Sequence, residues 1–283
     1  MIKLAGIVTL YNPDKEVKKN IESYLDSIDK LYVIDNTPDK ENKNVLPNSD
    51  KIQYIFNNKN LGVSKALNMG AKMAIKDHYD YLLTMDQDSR FKKNSVKKMI
   101  EYIESYEGKD IGLVTPWHVI NTNPQKPESD IDYPIEVMTS GNIISLKAYK
   151  KIGGYKDELF IDGIDFDYCM NLNIHNYKVI RLNYIELKHD LGDIEIKHHL
   201  RRDFVCSNHN YIRRYYIVRN TLFVCKWYQE YYKEYTDFLK RGLRGQLMNV
   251  VLFEKDKFGK VRNMYRGYKD YKRGLLGEYP YKN

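Results

Sequence analysis

Two aspartates, separated by one glutamine, follow directly on a short apolar run of the sequence. The run, Tyr81 to Met85, has the composition of a buried strand, and Asp86, Gln87 and Asp88 come immediately after it. Residues two apart share one face of a strand, so both carboxylates can converge on one cation. Two oxygen ligands with open coordination positions suit Mg²⁺ or Mn²⁺ bound to the phosphates of a substrate. For this pair alone, an acidic turn that caps the next helix is the alternative.

The elements that would position this pair follow an alternating pattern. Apolar runs typical of strands are separated by amphipathic helices, which predicts βαβ units, a mostly parallel sheet and right-handed crossovers. Ligands of such sheets bind beyond the carboxyl ends of the strands, where Asp86 and Asp88 would lie. Strands are predicted at Leu4–Leu10, Leu31–Ile34, Ile52–Phe56, Tyr81–Met85 and Ile111–Val114.

Two common nucleotide-binding motifs are missing from the sequence. No G-x-G-x-x-G follows the first strand and no G-x-x-x-x-G-K-S/T occurs, which argues against a dehydrogenase and a P-loop NTPase. Residues 121–134 are polar and contain prolines, which predicts a long loop of the kind that often covers a binding site. A strand at 137–145, a helix from about Gly163 and a strand at 177–187 are predicted to complete the core.

Positive charge is concentrated in the C-terminal part of the chain. The whole chain of 283 residues carries +8. From Ile196 onward there are 20 Lys or Arg and 8 Asp or Glu, a net +12, together with 12 of the 26 tyrosines. We therefore predict two domains, a core of residues 1–195 and a helical, basic, tyrosine-rich extension of residues 196–283. Such an extension suits an anionic membrane surface or, as a remote alternative, nucleic acid.

The expected compartment is the cytoplasm. The sequence has no leading basic-then-apolar segment and no apolar run of membrane-spanning length. Its three cysteines, Cys169, Cys206 and Cys225, fit no metal-binding spacing and indicate a reducing compartment.

Seven short segments, one of which contains the aspartate pair, form a pattern along the chain. They are Val8-Thr9-Leu10-Tyr11-Asn12-Pro13, Val33-Ile34-Asp35-Asn36, Asn60-Leu61-Gly62 with Ala66-Leu67-Asn68-Met69-Gly70, Met85-Asp86-Gln87-Asp88, Thr139-Ser140-Gly141-Asn142, residues 160–169, and His189-Asp190-Leu191-Gly192. In this order and spacing they resemble family-2 inverting glycosyltransferases of the GT-A fold. The resemblance runs from about Ile2 to Asp193, continues more weakly to Asn220, and is greatest to bacterial rhamnosyltransferases of surface-polysaccharide synthesis. It implies an α/β, Rossmann-like sheet flanked by helices, with a helical C-terminal extension.

The resemblance implies a donor site that contains a divalent cation. The metal ligands would be Asp86, Asp88 and His189, and the cation Mn²⁺ or Mg²⁺, although a lone histidine is as often a plain structural residue. Asp35 would accept hydrogen bonds from a pyrimidine base, or instead form an Asx turn with Asn36. The residues implied in binding the donor nucleotide are Thr9, Tyr11, Asn12, Asp35, Asn60, Gly62, Lys65, Asp86 and Gln87. Of these, Gly62 could equally serve a helix-entry turn, and Lys65 could be a solvated surface charge.

The resemblance places the general base in the acidic cluster after Phe160. Asp165 aligns with the family's basic carboxylate, at the start of a helix that lines the acceptor site. Ile164 stands where many members have Glu, and Asn171 where many have Arg, so Asp162 is the rival. Carboxylates at this position could also simply cap the helix. The residues implied on the acceptor side are Asp162, Gly141, Asn142, Arg213, Arg214 and Arg219.

The implied reaction is a single displacement. A carboxylate takes the proton of an acceptor hydroxyl while that oxygen attacks the anomeric carbon, and the nucleoside diphosphate leaves from the opposite face, inverting the configuration. The first choice of donor is dTDP-L-rhamnose, and the implied acceptor is a glycan or a lipid-diphosphate-linked sugar. A UDP-hexose transferase, a UDP-galactofuranose transferase and a sugar-nucleotide nucleotidyltransferase are the alternatives.

The basic extension completes this set of expectations. We expect a cytoplasmic protein held peripherally at the inner face of the cell membrane by basic, aromatic helices. Packing of those helices on the core or on a second subunit, as in a homodimer, is the alternative. Nothing before Ile196 calls for a nucleic-acid partner, and none is expected.

Overall fold

A computed structural model describes residues 2–120, 125–189, 195–199 and 202–281 of the chain. Within these ranges it has eleven strands, eight α-helices and two short 3₁₀ turns. The strands are β1 (Leu4–Leu10), β2 (Lys30–Asp35), β3 (Ile52–Phe56), β4 (Tyr81–Asp86), β5 (Ser89–Phe91), β6 (Ile111–Val119), β7 (Ile131–Asp132), β8 (Asn142–Ser145), β9 (Lys178–His189), β10 (Glu195–His199) and β11 (Arg202–Cys206). The α-helices are α1 (Val17–Leu25), α2 (Val63–Lys76), α3 (Ser95–Ser105), α4 (Leu146–Ile152), α5 (Ile164–Ile174), α6 (Tyr211–Tyr228), α7 (Lys233–Phe253) and α8 (Lys257–Arg273).

The chain divides into two compact units, which we call the sheet unit and the helical unit. The sheet unit comprises residues 1–155 and 168–190, and the helical unit comprises residues 156–167 and 191–283. A short segment that precedes and begins α5 therefore belongs with the C-terminal helices. The domain boundary expected at residue 195 stays a prediction.

The sheet unit contains one nine-stranded sheet. Eight strands run in the order β3-β2-β1-β4-β8-β6-β9-β5, and β7 pairs with β9 at the side of this path. The pairs β1–β2, β1–β4, β2–β3 and β6–β9 are parallel. This architecture, a sheet flanked by helices, confirms the predicted GT-A fold class.

The second half of the sheet is mixed, which the sequence pattern did not indicate. β8 runs antiparallel between β4 and β6, and β5 and β7 run antiparallel to β9. The strand expected at residues 137–145 begins only at Asn142. Of the loop expected at residues 121–134, residues 121–124 lie outside the described ranges, and Ile131–Asp132 forms β7.

The core of the sheet unit explains why these runs form strands. β1 and β2 are buried along almost their whole length because helices cover both faces of the sheet, so their sequences are nearly continuously apolar. One side of α1 packs into the hydrophobic core that contains residues of β1 and β2, through Val17, Ile21, Tyr24 and Leu25. The hydrophobic face of α1 is thereby removed from water, which stabilises both the helix and the strand ends it covers.

The helical unit has its own small core and an unexpected hairpin. β10 and β11 form an antiparallel pair ahead of the three C-terminal helices, where the sequence indicated helices alone. Val218 of α6, Val250 of α7 and Met264 of α8 pack together. No helix in the described part of the chain is both long enough and apolar enough to span a bilayer.

Candidate active site

The register of the parallel strands gathers polar residues at one edge of the sheet. Leu10 at the end of β1 lies opposite Asp35 at the end of β2, and Thr9 lies opposite Asp86 at the end of β4. These are the carboxyl ends of neighbouring strands, where α/β sheets bind ligands.

Three potential metal ligands converge at this edge. Asp86 ends β4, Asp88 lies in the turn before β5, and His189 ends β9. β5 pairs with β9 so that Ser89 lies opposite His189, which brings Asp88 to 3.5 Å from Nδ1 of His189. One ligand atom from each of Asp86, Asp88 and His189 lies within 4.8 Å of the others. The structure thus brings together all three residues expected to bind the metal.

The donor set fits a divalent cation. Two carboxylates and one imidazole are ligands that Mn²⁺ accepts readily, whereas Mg²⁺ favours oxygen alone. Three ligand atoms leave coordination positions of such a cation for water and phosphate oxygens.

Buried hydroxyl groups orient these ligands. Ser89 Oγ lies 2.7 Å from Nδ1 of His189, Ser140 donates to Ser89 Oγ at 2.7 Å, and the backbone N–H of Asp86 donates to Ser140 Oγ at 3.0 Å. Nε2 of the buried His118 donates to the carbonyl of Ser140 at 2.7 Å. Burial lowers the pKa of His118 to about 4, so this ring is neutral near pH 7. The chain of hydrogen bonds ties two potential metal ligands to one another.

Asp35 is fully buried and heavily hydrogen-bonded. Tyr54 donates to its Oδ2 at 2.7 Å, Asn42 donates to the same oxygen through its backbone and side chain, and the N–H of Thr37 donates to Oδ1 at 2.9 Å. Burial opposes ionisation, but these donors outweigh it and lower the pKa of Asp35. The bond from Thr37 is an Asx turn, which was the alternative expected from the sequence. Recognition of a base by Asp35 stays a proposal.

Gln87 and Tyr11 are joined to each other. The Gln87 side chain accepts from the Tyr11 N–H at 2.9 Å and donates to the Tyr11 carbonyl at 3.2 Å. This pair of bonds is the one that a backbone residue of a paired strand would make. The Tyr11 side chain is 48% exposed. Asn12 has a positive φ of 45° and donates its N–H to Thr37 Oγ1 at 2.9 Å. The aspartate turn thereby holds the loop after β1.

The remaining residues predicted to bind the nucleotide lie near the start of α2 or at the end of β1. Asn60 accepts the N–H of Gly62 at 2.9 Å, and Gly62 takes a φ of 83° at the helix entry. Lys65 is exposed in the first turn of α2. The Thr9 hydroxyl is buried and has no hydrogen-bond partner in the described structure, and a role in nucleotide binding stays a proposal.

Gly141 and Asn142 support the strand edge. Gly141 has a φ of 82° and donates its N–H to the Thr84 carbonyl at 2.7 Å. A Cβ at Gly141 would lie 2.7 Å from Leu187 Cδ2, so the turn requires glycine. Asn142 is buried and donates to the Met138 carbonyl, and its Oδ1 has no partner in the described structure. Both residues hold β8 against β4, and an acceptor-side role stays a proposal.

A cleft of about 340 Å³ adjoins the aspartate pair. This volume lies in the range of small-molecule sites. Its lining mixes carboxylates with cations and is formed by Asp14, Glu16, Val17, Asn20, Gln87, Asp88, Arg90 and Lys188. Arg90 spans the cleft lining by donating to Asn20 at 3.0 Å and to Glu16 at 3.1 Å.

The acidic cluster expected to contain the base lies in the helical unit. Asp167 is buried and accepts from Lys156 at 2.8 Å and from Tyr228 at 2.9 Å, and burial raises its pKa despite these partners. Arg213 pairs with Asp162 at 3.2 Å, and burial likewise raises the pKa of Asp162. Asp165 is the second residue of α5, and its Oδ1 accepts the N–H of Phe166 at 3.0 Å.

The three arginines expected on the acceptor side differ in exposure. Arg214 is 1% exposed and pairs with the buried Glu254, and Arg219 is 0% exposed and donates to backbone carbonyls. Both are enclosed within the helical unit, where a lipid diphosphate cannot reach them. The side chain of Arg213 is 44% exposed. Only Arg213 of the three is kept in the acceptor-side proposal.

Sequence reasoning missed the supporting residues of the metal cluster. Ser89 is adjacent to Asp88, and Ser140 lies inside the Thr139–Asn142 segment, but neither was given a role of its own. A hydroxyl next to a metal-type carboxylate pair is the signal that could have identified Ser89. His118 lies on β6, and nothing in its local sequence indicates its hydrogen bond to Ser140.

The nine-stranded sheet is that of a GT-A fold, and Asp86, Asp88 and His189 lie at the ends of its strands. The sequence pattern of glycosyl transferase family 2 matches residues 7–168, which is more than half of the chain. The protein therefore belongs to glycosyl transferase family 2, as the seven segments indicated.

Individual relatives agree with this class. The dTDP-rhamnosyl transferase RfbF of Shigella flexneri is 25% identical over 244 residues, covering 78% of this chain and 79% of RfbF. The structure of S. aureus TarS 1–349 in complex with UDP-GlcNAc matches with a TM-score of 0.60 at 10% identity, over 97% of this chain and 93% of that chain. GalNAc-T7 with UDP, GalNAc and Mn²⁺ matches with a TM-score of 0.61 at 12% identity, over 83% of this chain. The match covers 50% of the GalNAc-T7 chain, so this chain spans about half of its length.

Proposed function

We propose that this protein is a metal-dependent inverting glycosyltransferase that transfers L-rhamnose from dTDP-rhamnose during synthesis of a bacterial surface polysaccharide, such as a capsule or cell-wall polymer. The observation that carries the proposal is the convergence of Asp86, Asp88 and His189 at the strand ends of a family-2 chain. The similarity to a dTDP-rhamnosyl transferase supports the choice of donor.

The proposed cation is Mn²⁺ or Mg²⁺, held by Asp86, Asp88 and His189. When bound, it would act as a Lewis acid that neutralises charge on the departing diphosphate. The structurally similar GalNAc-T7 was solved with Mn²⁺, which supports manganese. Ser89 and Ser140 keep the imidazole and the Asp86 backbone in place for this role.

The proposed general base is Asp165. Its carboxylate takes the proton of the acceptor hydroxyl while that oxygen attacks the anomeric carbon of the donor sugar. The C–O bond to the diphosphate breaks on the opposite face, so the anomeric configuration inverts. Asp162, which pairs with Arg213, stays the rival for this role.

Two other reactions of the same fold are the competing candidates. The first is transfer from a UDP-linked hexose or galactofuranose, since the similar TarS and GalNAc-T7 structures hold UDP-GlcNAc and UDP and a uridine nucleotide is therefore the alternative to dTDP. Nucleotidyl transfer would release pyrophosphate instead of a nucleoside diphosphate.

The experiment that tests the proposal is a donor panel. The protein is incubated with dTDP-rhamnose, UDP-glucose and UDP-galactofuranose in the presence of Mn²⁺, and release of nucleoside diphosphate is measured. We expect the greatest release from dTDP-rhamnose. Greatest release from a UDP-sugar would replace the proposed donor. A parallel incubation contains a sugar phosphate and a nucleoside triphosphate. Pyrophosphate release there would replace the proposed reaction with nucleotidyl transfer.

The proposed acceptor is a glycan or a lipid-diphosphate-linked sugar. The partly exposed guanidinium of Arg213 is a group that can bind a diphosphate through paired N–H donors. Its present partner is Asp162, so an incoming diphosphate would compete with that carboxylate.

We also propose that the protein binds the anionic inner face of the membrane through one side of α7. This side, which we call the α7 surface, has large apolar side chains that are 40–55% exposed, namely Leu247, Met248, Val251 and Leu252. No Asp or Glu occurs from residue 238 to residue 253, and Arg241 and Arg244 are exposed. Phe258 nearby is 82% exposed. Apolar groups flanked by cations suit an anionic lipid surface, and a second copy of the chain is the competing occupant.

A further inference from the structure

A strained turn precedes the proposed base. Phe160 has φ 66° and ψ −63°, and the N–H of Ile161 donates to the carbonyl of Leu159 at 2.7 Å. These values describe a γ-turn of the rare form with positive φ, which is unfavourable for a bulky side chain. Such strain persists only where the surrounding structure over-determines it, and it is concentrated at functional sites.

The strain extends through the residues that lead into α5. Asp162 has a φ of 60° and Gly163 a φ of 78°, so three of four consecutive residues have positive φ. We call residues 158–163 the α5 entry loop. The N–H of Asp167 donates to the carbonyl of Gly163 at 3.0 Å and closes the first turn of α5, which contains Asp165. The shape of the entry loop therefore sets where the Asp165 carboxylate lies within the helical unit.

One buried amide of α6 holds this loop. The Asn220 side-chain NH₂ shares its two hydrogens among three carbonyls, those of Leu159 and Ile161 at 2.7 Å each and that of Asp162 at 2.9 Å. Asn220 is 0% exposed, so these bonds have no competition from water. The Asn220 Oδ1 accepts from Arg219 at 2.9 Å, so its amide is fixed in orientation.

Other groups of α6 close on the same loop. The ring of Phe160 stacks on Tyr216 with centroids 5.2 Å apart and planes at 7°, and Arg213 pairs with Asp162. Arg213, Tyr216 and Asn220 are spaced three and four residues apart, so they lie on one face of the helix. A Cβ at Gly163 would lie 3.2 Å from Cβ of Asn220, so the loop and the helix are in close contact.

The C-terminal segment completes the enclosure. Arg219 donates to the carbonyl of Gly277 at 2.7 Å and to the carbonyl of Glu158 at 3.4 Å, and the N–H of Gly277 donates to Glu158 at 2.8 Å. The buried Arg219 thus donates to both residues, Gly277 and Glu158, that join the C-terminal segment to the entry loop. This gives a physical role to an arginine whose burial prevents contact with an acceptor.

We propose that Asn220 is a positioning residue for Asp165, acting by holding the α5 entry loop in its strained form. The inference rests on the proposed function, since it assumes that Asp165 is the base. Without the amide, three carbonyls lose their donor, and the loop relaxes toward backbone angles that a phenylalanine prefers. The carboxylate of Asp165 then leaves the position in which it meets the acceptor hydroxyl, while the donor site in the sheet unit keeps its own contacts.

The test is a double-mutant cycle of Asn220→Ala with Asp165→Asn, using release of nucleoside diphosphate from the donor preferred in the panel. Asn220→Ala should lower kcat by roughly 10²-fold, the loss that follows a displacement of about 1 Å at a reacting group. KM for the donor should stay unchanged. The double variant should be no slower than Asp165→Asn alone, because the amide acts only through that carboxylate.

Thr236→Ala is the matched control. Thr236 is a fully buried residue of the same unit, and its hydroxyl donates to the carbonyl of Lys233 at 3.0 Å in the first turn of α7. It should lower the melting temperature without lowering kcat of the folded enzyme. If Asn220→Ala fails to fold, Asn220→Leu replaces it, because leucine is branched at Cγ like asparagine and fills the site but donates no hydrogen bond.

Each outcome separates this inference from the base assignment. Wild-type kcat in the folded Asn220→Ala or Asn220→Leu variant, with Asp165→Asn strongly impaired, overturns the positioning role alone. Losses that multiply in the double variant overturn it as well, because Asn220 would then act elsewhere. Wild-type kcat in Asp165→Asn overturns the base assignment itself, and the inference with it.

Discussion

The hydroxyl of Ser89 lies 2.7 Å from Nδ1 of His189, across the antiparallel pair of β5 and β9. This pairing brings Asp88, in the turn after β4, to the end of β9, although the two segments are far apart in the chain. The same hydroxyl accepts from Ser140, which in turn accepts the N–H of Asp86. A short strand of three residues therefore assembles the cluster and fixes the orientation of its imidazole.

Ser89→Ala should weaken Mn²⁺ binding by about 10- to 100-fold, the usual effect of removing a hydrogen bond that orients a metal-binding histidine. Calorimetric titration of the protein with Mn²⁺ measures the change. Ser105→Ala is the control, because that exposed hydroxyl donates to the carbonyl of Tyr102 and takes no part in this network. Equal Mn²⁺ affinity in the Ser89 variant and the wild type would contradict the assigned role of this network.

Asp35→Asn should lower the free energy of unfolding at neutral pH, and lower it by less in acid. The pKa of Asp35 is below its ordinary value of 3.8, so the ionised carboxylate stabilises the fold above about that pH. That contribution is lost as pH falls through the lowered pKa. The difference in free energy of unfolding between wild type and variant, from urea titrations, should therefore be larger at pH 7 than at pH 3. Asp50→Asn, at an exposed position, is the control. A difference that grows on acidification would refute this account of Asp35.

Met248→Ser combined with Leu252→Ser should abolish binding to anionic vesicles, because both side chains lie in the exposed apolar part of the α7 surface. Binding of the wild type should fall as salt concentration rises. Tyr231→Ser is the control, since Tyr231 is 64% exposed but precedes α7. Co-sedimentation with phosphatidylserine vesicles provides the measurement. Equal binding to neutral vesicles would contradict a preference for anionic lipid. A wild-type dimer that the double variant loses would assign the α7 surface to a second copy of the chain.

Asp165→Asn should lower kcat by roughly 10²- to 10⁴-fold, the usual scale of general-base catalysis, because the amide cannot accept the proton. KM for the donor should change little. Asp162→Asn and Asp167→Asn are the comparisons, and their ion pairs predict losses of stability with turnover retained. A large loss of turnover at Asp162 with a mild effect at Asp165 would move the base to Asp162.

The fold could be predicted from the sequence as far as local periodicity determines it. The strands of the first half, the Asp86 and Asp88 pair and the family resemblance all come from residues close together in the chain. The antiparallel insertion of β8 and the pairing of β5 with β9 depend on contacts between distant segments, and a three-residue strand leaves no periodic pattern to detect.

The roles of single residues were harder to predict for the same reason. Arg214 and Arg219 look like phosphate ligands in sequence, and only the burial of α6 shows that Glu254 and backbone carbonyls already occupy them. Asn220 marked the end of the resemblance, but its three carbonyl partners lie about sixty residues earlier. Which side chains α6 presents to the entry loop is decided by packing, which composition and spacing do not encode.

The proposed reaction is tested most directly by following donor and product with proton NMR. Incubation with dTDP-rhamnose, a glycan acceptor and Mn²⁺ should yield dTDP and a new anomeric signal whose configuration is opposite to that of the donor. Addition of a chelator should stop both changes, and Mn²⁺ in excess should restore them. Retention of the donor configuration, or full turnover in chelator, would contradict the metal-dependent inverting transfer proposed for Asp86, Asp88, His189 and Asp165.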